Sequence, residues 1–208
     1  MRCIPRLFAF ASLALVSVAP AYATQYLFET VRIPNPANGT VLGPGMDGPS
    51  EPTTSNGTGY GTALYDDVAH TLKLDATFSG LAGNTTASHI HAPTSAAFQS
   101  TAGVATTTPS FAGFPLGVTS GSFSNTLDLT QSSSWNPSYV TANGGTTASA
   151  EAAFSAALFA NKAYWNIHSS TFGGGDIRGF MRLVPEPASG AIVALGLVAL
   201  AGIVRRRR

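Results

Sequence analysis

The chain has 208 residues, of which 10% are charged, with a formal net charge of +1 and a single cysteine. Between residues 24 and 184 nine acidic residues stand against five basic ones, a net of −4, so arginines at the two ends create the positive total. That balance excludes a basic patch for nucleic acid, the lone Cys3 leaves the body without disulfide or thiolate nucleophile, and the length of the body suits one domain.

Residues 1–23 read as a secretory signal peptide. Arg2 and Arg6 give a basic start, and residues 7–18 form an apolar run too short to span a bilayer. Ala21 and Ala23 supply the small residues that signal peptidase needs, which predicts cleavage before Thr24.

Residues 25–33 read as a first strand, with Tyr26 and Phe28 set against Leu27, Val31 and Ile33. The next stretch, 34–58, is dense in Pro, Gly, Asn and Ser and predicts a long irregular loop with little to bury. Residues 60–65 and 71–79 predict a hairpin whose turn spans 66–70 and leaves His70 facing solvent. Leu72, Leu74, Ala76 and Phe78 alternate with Lys73, Asp75, Thr77 and Ser79, the period of a sheet with one wet face. Residues 87–92 resume as a strand carrying His89-Ile90-His91. Loop and short edge strands are expected over 94–117, around Phe98, Phe111 and Phe114. Residues 121–129 alternate again through Phe123, Leu127 and Leu129, and 136–148 read as loop. Alanines with Phe154, Leu158 and Phe159 at helical spacing predict one short helix over 151–161, packed on the sheet edge.

Residues 164–183 predict two strands joined by the turn formers Gly173, Gly174 and Gly175. The first strand places Trp165 and Ile167 on one face and Tyr164, Asn166 and His168 on the other. Its successor sets Ile177, Met181 and Leu183 against Asp176, Arg178 and Arg182. Several strands, frequent Gly/Pro turns and one helix predict an all-β fold, an antiparallel Greek-key β-sandwich of the superoxide-dismutase-like or Ig-like kind.

The C-terminus has three parts in order: Pro185-Glu186-Pro187, an uncharged apolar run of 17 residues over 188–204, and Arg205 to Arg208. The run is at the lower limit for a transmembrane helix, and the arginines form a basic stop. This tail resembles the PEP-CTERM sorting signal of Gram-negative bacteria. The resemblance implies recognition by an exosortase, passage through the inner membrane on 188–204, and delivery to the cell surface or extracellular matrix.

The body carries a second resemblance. Gly80-Leu81, His89-Ile90-His91, Tyr164-Trp165-Asn166-Ile167-His168 and Gly174-Gly175-Asp176-Ile177-Arg178-Gly179 resemble, in order and spacing, the signature blocks of the chordin-type (CHRD) domain. Asp176 stands where that family usually has Glu, and the Pro/Gly loop near the N-terminus is longer than usual. The resemblance implies a CHRD-like domain over 24–184, in a family common among bacterial secreted proteins whose general biochemical activity is not established.

His89 and His91 lie two apart on a strand, so both imidazoles project from one face at chelating distance, and His168 has the matching polar face of another strand. One reading is a copper or zinc site, with Asp176 orienting a ring or adding a ligand. The other is a structural network in which the histidines bond carbonyls, Asn166 and Asp176 and brace the loops. Asp176 and Arg178 share a strand face and predict a brace across the glycine turn. Trp135, Tyr139 and Phe98 either stack on sugar rings or plug the ends of the sandwich. No Gly-x-Ser-x-Gly elbow, Cys/His pair or Walker sequence occurs. The expectation is an exported, non-enzymatic structural or adhesive protein without a cofactor. The alternatives are a secreted metal-binding or redox protein using His89, His91 and His168, and a module that binds extracellular polysaccharide.

Overall fold

The computed structural model describes residues 25–32, 45–46 and 54–185. Seven strands form one sheet in the order β4-β6-β7-β1-β2-β3-β5. They are β1 (Gln25–Val31), β2 (Thr58–Asp66), β3 (Thr71–Ser79), β4 (Thr85–His91), β5 (Gly121–Asp128), β6 (Tyr164–Ser169) and β7 (Ile177–Leu183). Every neighbouring pair is antiparallel.

The expected sandwich is therefore corrected to a single sheet wound into a half-barrel. The physical reason is β1, which bonds β2 along one edge and β7 along the other and joins what a sandwich would keep as two sheets. Alternating apolar residues announce a buried face without saying what buries it. Here the sheet curls onto itself. Trp165 of β6 and Phe123 of β5 have ring centroids 6.2 Å apart although four strands separate them in the sheet. On a flat sheet five spacings of ~4.8 Å would hold those strands ~24 Å apart.

The core fills the concave side. Leu72, Leu74, Ala76 and Phe78 of β3 face it as their alternation predicts, with Phe28, Ala63, Ile90, Trp165, Ile167, Ile177 and Met181 from the other strands. Two short helices cover it. Asn136, whose side chain accepts from the Ser138 amide, and Pro137 in the first turn start α1 (Pro137–Ala142) inside what the sequence presents as loop. α2 (Thr147–Phe159) begins four residues earlier than expected, because Thr146 and Ser149 form a reciprocal capping box. It lies over the mouth of the sheet rather than on its edge: Phe154 is fully buried, and Phe159 meets Tyr26 and Phe28 edge-on.

The expected loop of 34–58 does contribute to the core. Met46 is fully buried and pairs with Gly59 through two backbone hydrogen bonds.

The remaining segment between strands, 92–120, packs on two surfaces. Phe111 and Phe114 enter the core beside Phe123, and residues 117–118 bond to Thr85 at the outer edge of β4. Its first half covers the convex side of β4, β6 and β7. There Val31, Tyr164 and Phe180 form a second, smaller apolar cluster with Phe98 and Ala102 packed on it.

The signal peptide with Ala21 and Ala23, Glu186 and Pro187, the 188–204 run and the terminal arginines all lie outside the described residues. Among the described residues no helix is long and apolar enough to cross a membrane. The readings of a transmembrane helix, an inner-membrane precursor and a route through signal peptidase and exosortase to the cell surface are withdrawn.

Candidate metal centre

β4 presents its histidines on the convex face because Ser88 and Ile90, which alternate with them, point into the core. The register sets His89 opposite Asn166 and His91 opposite Tyr164, while His168 pairs with Ala87. This places His89, His91 and His168 in one group, with one ligating nitrogen from each ring within 4.8 Å of the others. His89 and His91 are buried and His168 is partly so.

All three rings are held in the same way. Nδ1 of His89 lies 2.8 Å from the Pro109 carbonyl, that of His91 2.7 Å from the Ala102 carbonyl, and that of His168 2.9 Å from the Gly173 carbonyl. A carbonyl oxygen only accepts, so each Nδ1 carries a proton and donates it. In a neutral ring the lone pair is then on Nε2, which points into the shared space. Two of the carbonyls belong to the covering loop and the third to the β6–β7 turn.

The Nε2 atoms of His89 and His168 are 2.9 Å apart. With both Nδ1 atoms committed as donors, two neutral rings would bring lone pair against lone pair, and only a cation between them relieves this. Protonation is opposed by burial, which pushes His89 and His91 down to about 4 against the partial support of their carbonyl partners; His168 is also lowered by burial. Nε2 of His91 is buried with no hydrogen-bond partner among the described residues. The donors thus match the needs of a metal ion: neutral and converging on one space. Around one ion at 2.0–2.1 Å such nitrogens lie ~3.3–3.5 Å apart, which small ring rotations reach from the present spacing.

Asn166, Asp176 and Arg178 surround the site without ligating through it. Nδ2 of Asn166 donates to the Gly174 carbonyl at 3.1 Å. Its side chain occupies the space a Cβ on Gly175 would need, and Gly175 has φ +132°. Asp176 and Arg178 reach different partners among the described residues. Asp176 accepts from the Ala82 amide at 3.1 Å and the Ser169 hydroxyl at 2.6 Å, and also binds the Ser55 hydroxyl. Arg178 lies over the Tyr164 ring at 4.9 Å and donates to the Ser100 carbonyl at 3.4 Å. Neither Asn166 nor Asp176 is a hydrogen-bond partner of the histidines.

Sequence reasoning missed Tyr164, whose ring is parallel to His91 within 5° at a centroid distance of 4.7 Å. Its position opposite His91 would follow from the register, had the register been known. The three anchoring carbonyls leave no trace in the residue letters.

The sugar-stacking reading is also corrected. Trp135 and Tyr139 are buried and stacked on each other with centroids 6.0 Å apart, and the Trp135 indole N–H donates to the Leu129 carbonyl at 2.8 Å. Phe98 packs edge-on against Phe180 in the smaller cluster. His70 is on the surface, yet its Nδ1 holds Glu151 at 2.9 Å.

The three-histidine cluster is compatible with a metal-binding or metal-dependent catalytic site. It displaces the expectation of a purely structural or adhesive protein, which would have no use for converging unprotonated nitrogens. No curated protein and no solved structure matches the chain. The family model for the CHRD domain matches residues 40–181, about two thirds of the sequence, and ends before the Pro-Glu-Pro tail, so it brings no sorting motif with it. The chain belongs to the CHRD domain family.

Proposed function

We propose that this CHRD domain binds one copper or zinc ion through Nε2 of His89, His91 and His168. One observation carries the reading: all three Nδ1 atoms are spent on backbone carbonyls, so all three lone pairs face a common space. Asn166 and Arg178 shape the wall of the site, and Asp176 ties the β6–β7 turn to the 82 and 55 segments. The domain is taken as 24–184, since the central strand β1 lies N-terminal to the matched span.

The test is metal analysis of purified protein prepared without chelators and then exposed to equimolar copper and zinc. One ion per chain is expected, falling below a tenth in His89→Ala and His91→Ala. Substoichiometric metal in the unsubstituted protein, or full occupancy in both variants, would overturn it.

A further inference from the structure

Three imidazoles fill only part of an ion's coordination. Around a tetrahedral ion they take one side, and zinc held by three protein ligands completes its shell with water or a small molecule. Among the described residues no carboxylate or thiolate joins His89, His91 and His168. All three donors are neutral, so the charge of a bound dication is left for the remaining ligand to meet.

The polar neighbours on the same face are turned elsewhere. The Tyr164 ring lies flat on His91, but its hydroxyl accepts from the Ala102 amide at 3.3 Å. Asn166 pairs with His89 across the sheet, yet its carboxamide reaches the Gly174 carbonyl and packs on Gly175.

The cover over the three rings is uneven. His89 and His91 are buried and anchored to the covering segment, whereas His168 is partly exposed and anchored to Gly173 in the β6–β7 turn. Gly173 and Gly174 are exposed, and a Cβ added to either would meet nothing within 4 Å. The turn thus leaves open space beside the least covered ring.

We propose that a metal ion held by His89, His91 and His168 keeps its fourth position for an exchangeable small anion. The inference rests on the metal-binding reading above and adds the class of ligand that completes the shell. Only coordination is involved: the anion displaces bound water, and no covalent bond of the protein or the anion breaks.

The purified full chain is loaded with equimolar cobalt(II), which substitutes for zinc and whose visible absorption changes with its ligands. It is then titrated with sodium azide at constant ionic strength. A one-to-one spectral change is expected, with a dissociation constant on the order of 1 mM. Acetonitrile, also small and linear but neutral, should bind at least about tenfold more weakly. In His89→Ala and His91→Ala the azide response should vanish with the metal.

A cobalt spectrum that azide leaves unmoved overturns the inference while sparing the metal site, because the chain then closes the shell itself. Acetonitrile bound as tightly as azide overturns it too, as does azide-sensitive cobalt that persists in both variants. Failure of the unsubstituted chain to take up cobalt, copper or zinc removes the metal-binding reading and this one with it.

Discussion

Trp165 of β6 and Phe123 of β5 meet edge to face, at 88° with centroids 6.2 Å apart, across the inside of the curled sheet. The indole N–H donates to the Ser88 hydroxyl at 2.8 Å, and a Cβ added to Gly61 would come within 3.0 Å of the same ring. One side chain thus touches β2, β4 and β5 and fixes how tightly the sheet winds. Trp165→Ala should cost about 3–5 kcal/mol, and Ser88→Ala about 1–2 kcal/mol through the lost acceptor. Denaturant unfolding measures both. A loss below 1 kcal/mol for Trp165→Ala would show that the winding is held elsewhere.

Stability of the metal-free protein should depend on acid through the histidines. Burial depresses His89 and His91 from 6.5 to about 4. Between those values the unfolded chain binds more protons than the folded one, so the contribution is complete above about pH 6.5 and disappears as pH falls to about 4. Melting temperature should drop through that window, and less steeply in a His89→Gln/His91→Gln variant. Parallel profiles for the two proteins would contradict the assignment. A saturating metal ion should raise the melting temperature at neutral pH and lose that effect on acidification, because protons compete for Nε2.

Glu151 anchors α2 to the β2–β3 hairpin. It accepts from the Tyr65 hydroxyl at 2.9 Å and lies 2.9 Å from His70 Nδ1, and its hydrogen bond and charge raise the His70 pKa. With the folded pKa above the unfolded one, the His70 contribution is present below pH 6.5 and fades as pH rises through the folded value. Tyr65→Phe should cost about 1–2 kcal/mol at any neutral pH. His70→Ala should matter only on the acid side. Equal losses for His70→Ala at pH 5.5 and 9 would rule out a charge-dependent contact.

Asp176 gathers three donors, the Ser55 and Ser169 hydroxyls and the Ala82 amide, while fully buried. Asp176→Ala strands all three and should cost about 3 kcal/mol or more. Because the β6–β7 turn it ties down also supplies the Gly173 carbonyl to His168, metal affinity should fall with stability. Metal affinity unchanged in a folded Asp176→Ala would separate the turn from the centre.

Removal of residues 1–39, which leaves the whole span matched by the CHRD model, deletes β1. That strand pairs with both β2 and β7. The truncated chain should lose its cooperative thermal transition. A sharp melt near that of the full chain would mean the sheet closes without its central strand.

Much of the sheet was legible because period-two alternation in β3 and the β6–β7 hairpin sorted side chains correctly onto two faces. The same alternation cannot tell one curled sheet from two facing ones, and nothing local marks β1 as the strand that joins them. α1 was hidden because six residues are too few for a helical period, although Asn136-Pro137 is a start signal. At the site, His89 and His91 were paired by spacing alone. His168 joined them through the polar face of another strand, and the β4–β6 register explains its convergence, whereas the Tyr164–Arg178 contact is one that no spacing encodes. For Trp135 and Tyr139 polar neighbours kept a sugar-stacking alternative open beside the plugging one, and the structure buries both side chains.

Main-chain oxygens at 102, 109 and 173 aim the three rings, and a peptide oxygen has the same chemistry whatever residue bears it. Exposed side chains of the covering segment, away from its prolines and glycines and from the buried Thr106, Phe111 and Phe114, can therefore be diversified in a laboratory library without re-aiming the imidazoles. Such a library would alter what reaches the centre from outside while keeping its nitrogens in place.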